Sequence, residues 1–545
     1  MDASTRFDTQ VVGALPVVAH FCDLLKLGET VDRVVPWEGD VPLGTLVEVL
    51  VTNRLLEPKA MFRIGQWAQT ASVTDYFGLT VQQLNDDRLG RALERIADHR
   101  EAVETALVLH AVRRFKLDVS QIHYDISDVE LFGAYEINIP EGQPAPIPMP
   151  AYGRTKSGRK NVKQIQFGLN VTRDGAVPVA HLPLDGNAAE SPTHLVNLKQ
   201  LARMLPKLQL LYIADSKLDT PENLRTIVAA HGQFLCAGVF SPQLQQQFLK
   251  LRHQLRRVDY SPKSQAKRPP QQRDRYEACE ITERLEGTVD GRKIRCDYRL
   301  IFVWSQARAR DQAATRQRHV AKIRAGFEAV AKNLGRYSLK TREAIVRRLE
   351  AARAKYAEGT LFVYELCERQ GKFTLNWKID PQALAEWEQL EGVYVLKTNL
   401  SKRRHPIAKL LETYGEQKHV ERRIHHLKGP LAIAPMFLEN PKRIAGLLCI
   451  LVWALMVLAL MERQVRRRLR GKPLYGLYPE NRPSPAPPAR PCWTASAHSV
   501  SSSSSIMVPS PAASPNPALP NAKSSNYLTS TPPACKPSNG GAECE

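Results

Sequence analysis

The sequence predicts an α/β protein, with a mixed-sheet core that is interrupted by an α+β insertion and preceded by a helical N-terminal domain. Three observations predict it. Up to Phe115 apolar residues recur at three- and four-residue spacing, the period of an amphipathic helix. After Leu117 the pattern turns to alternation and short apolar runs separated by helical stretches, as expected of a sheet covered by helices. From about residue 241 the composition becomes rich in base and poor in apolar residues, and the apolar strand pattern resumes near Leu396. The boundaries are therefore a helical domain at 1–116, the first part of the core at 117–240, an insertion domain at 241–395, the second part of the core at 396–475 and a tail at 476–545.

The first domain takes its helices from "LPVVAHFCDLLKLGETVDRVV", "PLGTLVEVLVTNRLL" and the long stretch from "DDRLGRALERI" to Phe115. In the core, "LDVSQIHYDIS" and "VELFGAYE" read as two successive strands, and "KQIQFGLNVT", bounded by Arg173-Asp174-Gly175, as another. "THLVNLKQLARML" is helical, and "LQLLYIAD" is an apolar strand ending on Asp215. "TPENLRTIVAAHG" reads as a capped helix, with Thr220 as N-cap, Pro221 at the first position and Gly232 beyond its end. "QFLCAGV" closes the half as a strand. In the insertion, strands flank an Asp290-Gly291 turn, a charged helical region covers 311–356, and a strand, a helix and a strand lead to "VYVLKTNL". The tail is rich in Pro and Ser and cannot bury enough apolar surface to fold.

A formal charge of +21 over 545 residues points to a polyanionic partner, nucleic acid above all. Nine cysteines without a CxxC pair indicate neither a zinc ribbon nor a disulfide framework, and predict reduced thiols in a cytoplasmic protein. "MDASTRFDTQ" has no basic start followed by an apolar core, so no signal peptide is expected. Residues 444–461, "IAGLLCILVWALMVLALM", form a charge-free run of membrane-spanning length. Basic residues flank both of its ends, so neither is marked as cytoplasmic, and a helix buried on all sides gives the same signal. The expectation is a buried helix and no membrane.

Candidate chemistry begins with carboxylates at strand positions. Asp125 interrupts the alternation of "QIHYDIS", and Asp215 ends an apolar strand, where ligands of open α/β sheets gather. Tyr414, Glu421 and Lys428 recur every seventh residue in "YGEQKHVERRIHHLK", so one continuous helix would place them on a single face, with Gln417 and Lys418 between. Three carboxylates on separate elements can hold two Mg²⁺ ions, hard cations that prefer oxygen, with Mn²⁺ as a substitute. Two such ions about 3.5–4 Å apart activate a water or a 3′-hydroxyl and stabilise the leaving oxygen of a phosphodiester. Lys418 and Lys428 are placed to hold phosphates as point charges. Asp128, three residues after Asp125 and on the opposite strand face, is the rival first ligand. Asp125 is preferred because it lies inside the apolar strand.

With these residues the chain resembles a DDE transposase of a bacterial insertion sequence, from the group with a large insertion between the second Asp and the Glu. The group's pattern is a tyrosine, an arginine three on, the glutamate four further and a lysine seven beyond. It falls on Tyr414, Gln417, Glu421 and Lys428. Gln417 departs from it, and the adjacent Lys418 is the substitute, without a bidentate phosphate grip. "HYDISDVELFGAY", "GRTKSGRKNVKQIQFGLNVTRDGAVPVAHLPLDGN", "YIADSKL" and "EGVYVLKTNL" are similar to further motifs of the group, and the likeness spans roughly residues 10–475. It implies a ribonuclease-H-like core with Asp125, Asp215 and Glu421 as catalytic metal ligands and Tyr414, Gln417, Lys418 and Lys428 at the DNA. It also implies double-stranded DNA partners (terminal inverted repeats and target), a homodimer in the synaptic complex and action at the bacterial nucleoid. His123 reads as a packed histidine, His425 and His426 as surface residues, and Trp304 and Trp377 as core. The basic stretch 250–275 reads as a DNA-backbone contact. A catalytically inactive DNA-binding descendant of a transposase is the alternative.

Overall fold

The first core strand runs through what the alternation divides in two. In the computed structural model, which describes residues 12–488 apart from 138–147, 157, 160, 207–208, 267, 432, 434–437, 478–479 and 485–486, β1 (Gln121–Leu131) takes in "QIHYDISDVEL" whole. The residues before Leu131 that suggested a second strand continue the first. Their partner is instead β3 (Lys163–Thr172), which follows the short β2 (Ala151–Tyr152) and runs antiparallel to β1 along its length. β4 (Pro178–Leu184) returns antiparallel to β3 with every residue buried. Helix Glu190–Met204, β5 (Leu211–Ala214), helix Pro221–Ala229 and β6 (Gln233–Gly238) complete this half. The Thr220 hydroxyl accepts the Asn223 N–H at 3.2 Å, as its N-cap position predicts.

β5 and β6 are parallel to β1 and to each other, so β4, β3, β1, β5 and β6 lie side by side in a mixed arrangement. The sheet then continues into the basic block. β7 (Arg256–Val258) edges a hairpin of β8 (Tyr276–Val289) and β9 (Arg292–Ser305). Asp290 and Gly291, both at positive φ, make its two-residue turn. A smaller hairpin, β10 (Phe362–Arg369) and β11 (Lys372–Ile379), stands apart, and β12 (Val393–Thr398) bridges β6 and β9 antiparallel to both. Within 241–395, therefore, β7–β9 extend the core sheet. The helices Gln306–Lys332 and Arg342–Ala354 pack with β10 and β11 around Phe327, Phe362 and Leu349 in a core of their own.

The N-terminal region is helical throughout, as its period predicts. Helix Pro441–Leu469 is, among the described residues, the one long and apolar enough to cross a membrane, and its apolar window is wholly buried inside the fold. It packs against helices Leu43–Leu56 and Asp86–Asp98 on one side and β4 on the other, joining helical region to sheet. A methyl group on Gly446 would overlap the Leu93 carbonyl, so glycine sets the close approach of these helices. The tail from 489 onward lies outside the described residues.

Glu48, half-buried on helix Leu43–Leu56, accepts the Gly28 N–H at 3.0 Å. Burial pushes its carboxyl up to about 7, and the charges of Asp23 and Asp32 add to the shift. A folded value above the unfolded one means that folding takes up a proton, so this group costs stability as pH rises from about 4.5 to about 7. Glu48→Gln keeps the acceptor and loses the charge. Chemical denaturation is expected to find the variant more stable by about 1–3 kcal/mol near pH 8 and unchanged near pH 4.

Candidate active site

β1 and β5 pair Gln121, Ile122 and His123 with Leu211, Tyr212 and Ile213. The same offset of ninety, carried two residues on, brings Asp125 beside Asp215 on strands about 4.8 Å apart. Both carboxyls line a pocket of about 130 Å³, together with Glu190, His194, Lys156 and Lys217. Asp125 accepts the Ile126 N–H at 2.9 Å, and Asp215 accepts the Lys217 N–H at 3.0 Å.

The pocket holds more negative charge than it neutralises. Burial pushes the Asp125 carboxyl up to about 6, and the charges of Asp215 and Glu421 push the same way against Lys156 and the Ile126 N–H. Asp215 is raised by burial and by Glu190. Burial holds His194 down at about 4, so its imidazole is neutral. Its Nδ1 meets the Tyr212 hydroxyl at 3.2 Å, while its buried Nε2 has no hydrogen-bond partner among the described residues.

Glu421 does not sit on one helix with Tyr414. The chain forms two, Ile407–Gly415 and Lys418–Lys428, and the one-face reading of residues 414–428 fails at their junction. There the ladder tightens to i→i+3 bonds, with Gln417 N–H to the Tyr414 carbonyl at 2.9 Å and His419 N–H to the Glu416 carbonyl at 2.8 Å. Glu416 is buried at this bend and paired with Arg173 at 2.6 Å and Lys263 at 3.0 Å.

The second helix lies across β1 and β3. Gln417, buried, accepts from His123 Nδ1 at 3.0 Å and donates to the Tyr124 carbonyl at 2.8 Å. At the other end Lys428 pairs with Asp128 at 3.0 Å. Glu421, one helical turn beyond Gln417, lies within electrostatic reach of Asp125. Glu421 is exposed in the first turn of its helix, where a carboxylate is favoured.

Among the described residues no group of three or more His, Cys, Asp or Glu side chains is close enough to hold a metal ion. Asp125 and Asp215 share one pocket. Glu421 lies within electrostatic reach of Asp125 without lining it.

The other expected site residues scatter. Gln417 anchors the helix to β1, and its amide is committed inside the protein. Lys428 is committed to Asp128, which also accepts the Lys156 N–H at 3.1 Å, so the rival first carboxylate is an anchor. Lys418 is exposed. Tyr414 is half-buried and opens on a separate cleft of about 860 Å³ with Tyr394 and Arg308.

His123 is fully buried, as a packed histidine would be. His425 is exposed but His426 is half-buried against Arg423. Trp377 packs on Phe327 and Phe362, and Trp304 is half-buried beside Phe302. Within 250–275, Arg256 and Arg257 are exposed on the edge strand β7.

Glu190, His194 and Lys156 are pocket residues that the sequence reading missed. Glu190 opens its helix three residues before the apolar period begins, and an acid in a first turn was its one signal. Lys156 sits in a polar loop whose proximity to β5 only the fold reveals.

Comparison with known proteins covers part of the chain. Residues 7–107, the helical region, match a domain of unknown function, DUF4277, a family found in transposases. That match points to a transposase-like protein. No curated protein matches the chain. A structure described as a pre-cleavage Mos1 transpososome is similar at 14% identity, over 40% of this chain and 68% of that one, with a TM-score of 0.15.

Proposed function

We propose that the protein is a DDE transposase of a bacterial insertion sequence, cutting DNA at the element's ends and joining them to target DNA. The observation that carries this reading is the meeting of Asp125 on β1 and Asp215 at the end of the parallel β5 in one pocket, with Glu421 within electrostatic reach of Asp125. In the order β4-β3-β1-β5-β6, β3 runs antiparallel to both β4 and β1, and β5 and β6 run parallel to β1. That arrangement is compatible with a ribonuclease-H-like core. The +21 charge and the DUF4277 match to residues 7–107 favour a transposase working on DNA.

Mg²⁺ fits the pocket by the chemistry of its donors. They are carboxylate oxygens with uncompensated charge, and the orphaned His194 Nε2 stands ready to hydrogen-bond a water beside them. Asp125 and Asp215 would hold the metal, with Glu421 closing the set. Bound there, Mg²⁺ (or Mn²⁺) would supply activation of the attacking oxygen and stabilisation of the leaving one. Lys418, exposed at the start of the Glu421 helix, would hold a phosphate of the cut strand. In the first step water attacks the phosphodiester at the element's end, and the 3′-oxygen leaves as a free hydroxyl. That hydroxyl then attacks a phosphodiester of the target, joining to the target's 5′-phosphate as the target's own 3′-oxygen leaves as a hydroxyl. The same reading places the protein in the cytoplasm at nucleoid DNA, as a homodimer when two ends are paired.

The test uses purified protein, Mg²⁺ and DNA bearing the inverted repeats that flank the gene. Nicks at the repeat boundary that leave 3′-hydroxyl ends, followed by their joining to target, are expected. Sequence-specific binding without cleavage, in Mg²⁺ and in Mn²⁺, would favour the inactive DNA-binding descendant instead.

A further inference from the structure

We infer that the Lys156 ammonium is a counter-charge built into the carboxylate pocket, one that a divalent cation must displace to be held there. The inference rests on the reading of the Asp125–Asp215 pocket as a metal site.

Lys156 comes from the loop between β2 and β3. Its Nζ donates to the Ile126 carbonyl at 2.7 Å, on the residue next to Asp125, and its side chain lines the pocket that Asp125 and Asp215 share. An ammonium has three donors. Among the described residues Nζ makes this one hydrogen bond, leaving two donors for the carboxylates it faces. The other cation of the pocket, Lys217, is engaged with Glu190 at 3.3 Å.

The stem is free to move while its base is fixed. Lys156 is exposed, and its four-carbon side chain can swing into solvent. Its backbone N–H is held by Asp128, the same carboxylate that receives Lys428 from the Glu421 helix. Withdrawal of the ammonium therefore leaves the loop and the helix register in place. A dication and an ammonium within a few ångströms repel strongly where water is partly excluded, so one leaves as the other enters. Lysine thus keeps the pocket from standing as two bare carboxylates when no metal is bound, at the expense of metal affinity.

The test is calorimetric titration of the full chain with Mn²⁺, without DNA. Lys156→Met keeps the stem and removes the charge, and should tighten Mn²⁺ binding about tenfold or more. Lys156→Arg keeps the charge and should bind within about twofold of the parent, while Asp125→Asn should lose the site. If Lys156→Met binds no tighter than the parent and Asp125→Asn still abolishes binding, the counter-charge inference is overturned and the metal site stands. If Mn²⁺ binding is absent, or indifferent to Asp125, both fall. Circular dichroism of each variant separates loss of the site from loss of the fold.

Discussion

Asp125→Asn and Asp215→Asn are each expected to slow cleavage at the element's ends by roughly 10³-fold or more, about 4 kcal/mol of barrier. Binding of the repeats should stay within a few-fold. Asparagine preserves the shape of each side chain and an oxygen for the Ile126 or Lys217 N–H, so the strand ends keep their structure. What it removes is one negative charge from a pocket where burial, with Asp215 and Glu421 adding to it, already lifts Asp125 to about 6. A metal that stabilises both oxygens of the displacement contributes several kcal/mol, and loses its hold when a ligand is neutralised. Glu421→Gln should act in the same direction.

Asp128→Asn makes the contrast. It frees Lys428 and weakens the anchor of the Lys156 loop, so its effect should fall on stability more than on the cleavage rate at saturating Mg²⁺. Single-turnover cleavage and equilibrium DNA binding, measured side by side, separate these outcomes. Equal losses of rate in the Asp125 and Asp128 variants would reopen the choice of first carboxylate.

Arg423→Ala is expected to destabilise the fold by about 3–5 kcal/mol. Arg423, on the Glu421 helix, is fully buried, and Glu462, on the long apolar helix, is nearly so. They pair at 3.0 Å, and the guanidinium also donates to the Ala176 and Gly175 carbonyls at 2.9 and 3.0 Å. Truncation strands these two carbonyls and takes from the buried Glu462 carboxylate its bond to Arg423. The charge pair itself need not stabilise relative to an apolar pair of similar volume, so Arg423→Met with Glu462→Met should cost less than Arg423→Ala. Chemical denaturation of the three proteins is the measurement. Because this pair joins the Glu421 helix to the helix behind it, the single variant should also lose cleavage at temperatures where it remains folded.

What the sequence made legible follows the range over which each signal acts. The Asp290-Gly291 turn and the Thr220 cap are local devices, and each stands where its residues predict. The buried nature of residues 444–461 was legible from composition, since a run apolar on every side must be covered by something. β1 was cut in two because its alternation breaks at Asp128, and that break has a long-range cause. Asp128 is buried to receive Lys428, three hundred residues away.

The same limit applies to the site. Asp125 and Asp215 were visible because an acid inside or at the end of an apolar strand is locally anomalous. The bend at Glu416 and Gln417 was not, because helical period continues through it. Its causes are the ion pairs of Glu416 with Arg173 and Lys263 and the bonds of Gln417 with β1, none of them encoded nearby. Lys156, Glu190 and His194 join the pocket through the sheet and its covering helix, so only the fold brings them together.

The central claim is that Asp125, Asp215 and Glu421 act on one site. Anomalous diffraction from crystals grown with Mn²⁺ and a cleaved repeat end tests it most directly. The account predicts anomalous density between the Asp125 and Asp215 carboxylates, with Glu421 drawn in to complete the ligand set and the free 3′-hydroxyl beside it. Density held by Asp128, or an occupied Asp125–Asp215 pocket that leaves Glu421 in solvent, would contradict it.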